Sequence, residues 1–215
     1  MIQNGAVPKI VDHHARRNEI VEAYLAVVAR DGMPAATSRA IAAELGVGAG
    51  GLWHYFDGFD DVAAAAYQRI SERTNARLAA FTAGLRGLAA VRAMLHEICP
   101  LEKETVDEAY VVVGFWGRLA EGSRISAGAD VGEQWSALVR THLAEAVEDG
   151  ELIAATPIDD VAEVLFAVGM GQQALAIMRS PLAEPSRQLA SIEHCLRPWL
   201  VVSPTVPMGT LPQLH

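Results

Sequence analysis

Thr37-Ser38-Arg39-Ala40-Ile41-Ala42-Ala43-Glu44-Leu45-Gly46-Val47-Gly48-Ala49-Gly50-Gly51-Leu52-Trp53-His54-Tyr55-Phe56 is the stretch that decides the fold. Ile41, Leu45, Val47 and Leu52 stand at the spacing of two short helices that pack across a sharp turn. Ala42 is small where the helices approach, and Gly46 permits the turn. Thr37 offers a hydroxyl to an unpaired amide of the first helical turn. The spacing therefore predicts a helix from the Thr37 cap through Leu45 and a second one over 49–55, a helix-turn-helix. Two short helices around a glycine also occur in proteins that never meet DNA, so the flanking residues have to decide.

Working outward, helical periodicity continues almost everywhere and no segment alternates as a strand does. Upstream, 12–30 places Ile20, Ala23, Tyr24, Val27 and Val28 on one face, with Gly32 as the stop. Downstream, a long helix over 60–85 carries Val62, Ala66, Ile70, Leu78, Phe81 and Leu85. Further helices are expected over 88–98, 105–121, 132–149, 158–178 and 186–196. The fold class is all-α with about nine helices, the first three forming an N-terminal DNA-binding domain.

The 215-residue chain is 51% hydrophobic and 20% charged, an ordinary composition for a folded protein. Its net charge of −9 looks wrong for a nucleic-acid binder, so the distribution matters more than the sum. Residues 1–56 balance Lys9, Arg16, Arg17, Arg30 and Arg39 against Asp12, Glu19, Glu22, Asp31 and Glu44. The remaining 12 basic and 21 acidic residues put the whole deficit in the rest of the chain. Any DNA contact must come from the N-terminal segment, with an acidic body held away from the phosphates. Of the basic residues only Lys9 and Lys103 are lysines, and alanine is abundant, a composition that suggests a GC-rich bacterial genome.

Val164 to Met178 is the best candidate for a membrane span, but Gly169, Gly171, Gln172 and Gln173 interrupt it. The N-terminus lacks a signal peptide's apolar run, so the expectation is a cytoplasmic protein with no membrane partner. Cys99 and Cys195 have no paired spacing and read as free thiols. His13-His14, and His96 with Glu97 and Cys99, lack the pattern of a metal site, and no metal or cofactor is expected. No nucleophile elbow or His-Glu-x-x-His occurs. The glycines from Gly46 to Gly51 follow no strand, so they are not a phosphate loop either. An all-helical enzyme is thus the weaker of the two main readings.

With Arg17-x-x-Ile20 before it and Asp60-Asp61-Val62 after it, the segment from Thr37 to Phe56 resembles the signature of the TetR family of transcription regulators. Phe115-Trp116, Gly150-Glu151-Leu152 and the run from Ala162 to Gly169 are similar to the ligand-binding domains of its choline-response repressor subgroup. The resemblance implies a head at 1–58, a helical effector-binding and dimerisation domain at 59–200, and an extended or mobile tail at 201–215. It also implies a homodimer, a palindromic double-stranded operator, and repression relieved by a small, largely apolar effector. Control by a protein partner instead of a small molecule stands as the alternative.

Carried onto this sequence, the resemblance puts Arg17, Thr37, Ser38, Arg39, Trp53, His54 and Tyr55 at the DNA, mostly on phosphates. Gly48, Ala49 and Gly51 lie on the face turned to the major groove. Phe59 stands where the family has a phosphate-contacting lysine, and Asp57, Asp60 and Asp61 flank it, so backbone affinity should be lower than usual. The bare groove face points to readout by an Ala49 methyl contact, close backbone approach, Arg39 and DNA shape.

For the effector, aromatic and soft side chains at Met94, Phe115, Trp116, Leu119, Trp135 and Met170 are expected to line an apolar cavity. His96, Arg118, His142 or Gln173 would be its polar anchors. For dimerisation, Val161, Val164, Leu165, Val168, Gln172, Leu175 and Met178 form a helical stripe, with Gly169 and Gly171 allowing close approach. The same stripe also suits the subunit's own core.

Overall fold

A computed structural model describes residues 13–120 and 129–201, with the side chains of 129 and 130 left aside. The expected helix start at Asp12, the expected end at Glu121, Lys9 and residues 202–215 of the expected tail lie outside this range. The described residues form eight α-helices joined by short 3-10 segments, with a lone bridge pairing Leu152 and Leu200 in place of any sheet. The helices are α1 (His13–Asp31), α2 (Ser38–Glu44), α3 (Phe59–Thr82), α4 (Gly87–Ile98), α5 (Lys103–Ala120), α6 (Ala129–Glu148), α7 (Ile158–Ile177) and α8 (Pro185–Leu196).

Local chemistry sets several of these boundaries. Thr37 is extended and its Oγ1 accepts from the Ala40 amide at 3.2 Å, capping α2. Gly46 follows α2 with φ +66°, a left-handed turn that glycine adopts without penalty. Asp60 and Asp61 occupy the first turn of α3, and Asp159 and Asp160 that of α7, where carboxylates suit the positive end of the helix dipole. The start of α4 is capped from a distance, since the Gly87 amide donates to Glu145 at 3.0 Å and the Leu88 amide to Glu151 at 2.7 Å.

Two clusters of buried side chains divide the interior. Ile20, Tyr24 and Val27 of α1 meet Ile41, Leu52, Phe56 and Val62 in the head, and this cluster continues through Ile70 of α3 to Val111 of α5. Leu78, Val91, Met94, Leu95, Leu143, Ala162, Leu165, Ile192 and Leu196 form the second core among α3, α4, α6, α7 and α8. Helix α3 belongs to both cores, which makes it the rigid link between them. Met33 adds a second joint: it accepts from the Tyr24 hydroxyl at 3.4 Å, and its methyl takes the place that a Cβ at Gly114 of α5 would need.

Three expectations need correction. The segment expected as a helix over 49–55 is a 3-10 helix at Ala49–His54, with Gly51 N donating to Gly48 O and Tyr55 N to Leu52 O. Three glycines in four positions remove most of the intrinsic preference for the wider α-helix, each by about 1 kcal/mol relative to alanine. Phe81 and Leu85, expected on the buried face of the long helix, are exposed, because α3 stops at Thr82 and its last turn overhangs the core. Helix α7, expected to fail as a span, is by length and composition apolar enough to cross a membrane. It packs against α5, α6 and α8, and Gln172 and Gln173 sit on its inward side.

Candidate nucleic-acid interface and effector cavity

The surface of the head is shaped by what its core leaves outside. Leu52 and Phe56 point inward, so the residues between and before them turn to solvent: Gly48, Gly50, Gly51, Trp53 and His54 are exposed, and Trp53 keeps 43% of its surface open. Ala49 is half-buried. A large aromatic held this open on a short element leaves much of its ring available to a partner. Thr37, Ser38 and Arg39 continue the same side at the start of α2.

Charge pairing leaves this face with few free cations. Arg16 pairs with Glu19, and Arg30 bridges Asp31 and Glu44. Arg39 alone among the described arginines of residues 13–56 has neither ion pair nor hydrogen bond to another described residue, and it is exposed. Arg17, expected at the DNA, is instead a buttress. Its guanidinium lies 4.0 Å over the Phe56 ring, donates to the Tyr55 carbonyl and pairs with Asp61 at 3.3 Å. It ties α1 to the start of α3 and fixes the exit of the 3-10 segment. Tyr55, also expected at the DNA, is half-buried with its ring 4.8 Å from that of His13. Asp60 pairs with Arg118 of α5, whose guanidinium lies 5.1 Å over Phe59, so the acid at the head of α3 is partly neutralised from the body.

Behind the head, five helices line a cavity of about 160 Å³. Tyr67, Ile70, Ser71 and Thr74 line it from α3, Leu95, Glu97 and Ile98 from α4, and Thr105, Glu108, Val112 and Trp116 from α5. Gly132, Trp135 and Val139 come from α6, and Leu165, Phe166, Gly169, Met170 and Gln173 from α7. Tyr67 stacks on Phe115 with ring centroids 4.3 Å apart, and its burial pushes the phenol pKa up. Trp135 Nε1 donates to Asn75 at 2.6 Å, which fixes the indole across α3. Gln173 donates to the Ile98 carbonyl at 2.5 Å, while its own oxygen is buried without a partner.

Of the residues expected at this cavity, the structure brings together Trp116, Trp135, Met170 and Gln173. Met94 is buried in the second core and Phe115 forms the layer behind Tyr67, because both lie on helix faces turned from the cavity. His96 and Leu119 are exposed and outside it. Arg118 is engaged with Asp60 and Phe59, and His142 with Glu145 at 2.8 Å, so neither is an anchor. Glu97, Glu108, Ser71 and Thr74 went unanticipated. A signal for one of them was present: Thr105, Glu108, Val112 and Trp116 fall on one helical stripe, with an acid inside an apolar run.

The expected dimer stripe also divides. Val161, Leu165 and Gln172 are buried in the subunit's own core and present nothing to a partner, a correction that follows from the rotation of α7 about its axis. Val164 (50% exposed) and Met178 (73% exposed) face outward, with Val168 and Leu175 half-buried beside them. Ala167 and Gly171 share the outward side, and Leu182, before α8, and Leu189, within it, are exposed as well.

Residues 20–66 match the sequence model of bacterial regulatory proteins of the tetR family. The HTH-type transcriptional regulator PksA of Bacillus subtilis is 34% identical over 110 residues, which span 51% of this chain and 54% of that protein. Solved structures share the fold over most of the chain. A transcriptional regulator from Rhodococcus sp. Rha1 superposes with a TM-score of 0.68 at 23% identity, covering 87% of this chain and 99% of the other. A protein described as a transcriptional regulator from Saccharomonospora viridis, solved in complex with choline, gives a TM-score of 0.75 at 16% identity, covering 86% and 96%.

Proposed function

We propose that this chain, a TetR-family regulator by its N-terminal domain, binds a palindromic operator as a homodimer and releases it when a small effector fills the cavity behind the head. The match of residues 20–66 to the tetR family model and the likeness to PksA support a regulator over an enzyme.

The observation that carries the reading is the course of α3. Its first turns pack in the head core through Val62 and Ala66, and its middle turns line the cavity through Tyr67, Ile70, Ser71 and Thr74. A guest that displaces those middle turns moves the mount of the head. Arg77, one turn further on, is held to Glu97 of α4 at 3.0 Å and to Glu108 of α5 at 2.7 Å, so α3 is latched to two other cavity walls. A coupling of about 1–3 kcal/mol between the two sites is enough for a switch. A largely apolar cavity lined by five helices favours a small molecule over a protein partner as the controlling ligand.

The outward face of α7 is the proposed dimer surface. Small residues at Ala167 and Gly171 let two copies approach closely, and Val164 and Met178 gain burial. The same face accounts for the apolar character of α7 without a bilayer. Two-fold pairing presents two heads to half-sites about 34–36 Å apart. Thr37, Ser38, Arg39, Trp53 and His54 contact phosphates in this reading, while Gly48, Ala49 and Gly51 enter the groove. Acting on chromosomal DNA makes the protein cytoplasmic.

The test is selection of bound fragments from genomic DNA by the purified chain, followed by titration at several salt concentrations. A palindromic site with a shallow salt dependence is expected, since each phosphate contact contributes roughly 0.9 to the slope of log K against log salt and, among the described arginines of residues 13–56, Arg39 alone is left unpaired. No preference for any duplex, or a slope like that of a heavily basic protein, overturns the reading.

A further inference from the structure

We propose that Arg77 is the positioning residue of the switch, a strut that holds α3 in its DNA-competent place and gives way when the cavity is filled. This role rests on the reading that the cavity holds the effector, and it adds how filling is sensed.

Helix α3 carries a row of arginines. Arg69, Arg73 and Arg77 follow one another at intervals of four residues, so they lie along one face. Arg69 and Arg73 reach toward the head, where both pair with Glu22 of α1, at 3.0 and 2.6 Å. Arg77 turns instead to the body. Its Nε donates to Glu97 Oε2 at 3.0 Å, and its two terminal nitrogens donate to the two oxygens of Glu108 at 3.2 and 2.7 Å. Over the roughly 12 Å from Arg69 to Arg77 a helix behaves as a rod, so a shift at the body pin reaches the head pins.

The anchors of the strut stand on the cavity wall. Glu97, Glu108 and Thr74, whose Oγ1 accepts from Arg77 at 3.3 Å, all line the cavity, whereas Arg77 does not. A guest therefore need not touch the arginine. Pushing α4 and α5 away from α3 lengthens the bonds that converge on the guanidinium, and the strut senses occupancy by volume, whatever polar groups the guest carries.

Burial makes this joint firmer than those at the head. Exposed ion pairs contribute little and are screened by salt, and the pairs of Glu22, itself 42% exposed, are of that kind. The side chains of Glu97 and Glu108 are only 10% and 12% exposed. A guanidinium fork meets two carboxylates at fixed distances and angles, which an ammonium, a point charge, does not. Arg77 thus sets a geometry as well as a charge balance.

Two variants separate those roles. Arg77→Lys keeps the charge and loses the fork. Arg77→Met combined with Glu97→Gln and Glu108→Gln removes the strut without leaving a buried charge unpaired, which protects the fold. Circular dichroism should show unchanged helical content in both. On an operator selected by the unaltered chain, with no effector added, anisotropy should show a Kd raised several-fold by the lysine and by roughly 5- to 150-fold in the triple variant, the span of a typical coupling between sites. Without DNA, amide exchange in the triple variant should be faster over residues 70–78 and unchanged over 20–56. Unaltered operator affinity or unaltered exchange in α3 of the triple variant overturns the proposal. Should that variant fail to fold, the lysine variant decides, and an unchanged Kd there overturns it. If the unaltered chain selects no duplex, the regulator reading falls, and exchange by itself then decides whether Arg77 braces α3.

Discussion

Replacing Gly50 and Gly51 together by alanine is expected to make the protein more stable and a poorer DNA binder. Both glycines lie in the Ala49–His54 segment, both are exposed, and neither has the left-handed backbone that excludes other residues. A Cβ built at either position meets nothing within 4 Å. The subunit itself therefore gives no steric reason for glycine. Glycine in a helix costs about 0.5–1 kcal/mol relative to alanine, so the pair is expected to add about 1–2 kcal/mol. At roughly 2–4 °C per kcal/mol for a chain of this size, thermal unfolding followed by circular dichroism should move up by about 2–8 °C. If the bare backbone lies against the groove, two added methyls overpack that contact at a cost of about 1–3 kcal/mol. Fluorescence anisotropy on a selected operator should then show a Kd higher by roughly 5- to 150-fold. Unchanged or tighter binding by the stabilised variant refutes close backbone approach and, with it, the role given to the glycines.

Thr37 separates capping from phosphate contact. Thr37→Ala should lose about 1 kcal/mol of stability, whereas Thr37→Asp retains an acceptor for the Ala40 amide, holds stability, and weakens DNA binding by charge repulsion; equal affinity for the aspartate variant argues against a phosphate there. Gly171 has open space around it within the subunit, so Gly171→Trp should leave helical content intact and yield a monomer in sedimentation equilibrium. A persisting dimer places the interface elsewhere. Burial raises the Cys99 thiol from 9.0 to about 12, and the unfolded chain releases that proton first. Stability from this group is present below pH 9 and is lost as pH climbs toward 12, by up to roughly 1.4 kcal/mol per pH unit. Urea unfolding should show that fall, flattened between pH 9 and 10 in Cys99→Ala; an identical profile refutes the burial of the thiol.

Much of the head was legible from residues 37–56 because its determinants are local. A cap three residues before its amide, a left-handed glycine, and apolar side chains at helical spacing need no distant partner to be recognised. Helix positions in the body were legible for the same reason, most of them within a few residues. The charge state of the head was not. Arg17 looked like a phosphate ligand until its partners, 38 and 44 residues away, turned it into a brace.

The cavity shows the same limit from the other side. Trp116 and Trp135 were anticipated as aromatics, but whether an aromatic faces a void or a core depends on the rotation of its helix, and that separated Trp116 from its neighbour Phe115. Gln172 and Gln173 are adjacent in sequence and differ likewise, one buried in the core and the other on the cavity wall.

The sequence by itself determined an all-helical chain with a paired-helix reader at its start, since periodicity, caps and turn glycines act over a few residues. Tertiary structure alone decided which arginine stays free for DNA, which acids face the cavity, and which side of α7 is left open. Those outcomes depend on contacts between segments far apart in the chain, and the energy of a charge or an apolar face is set by what packs against it.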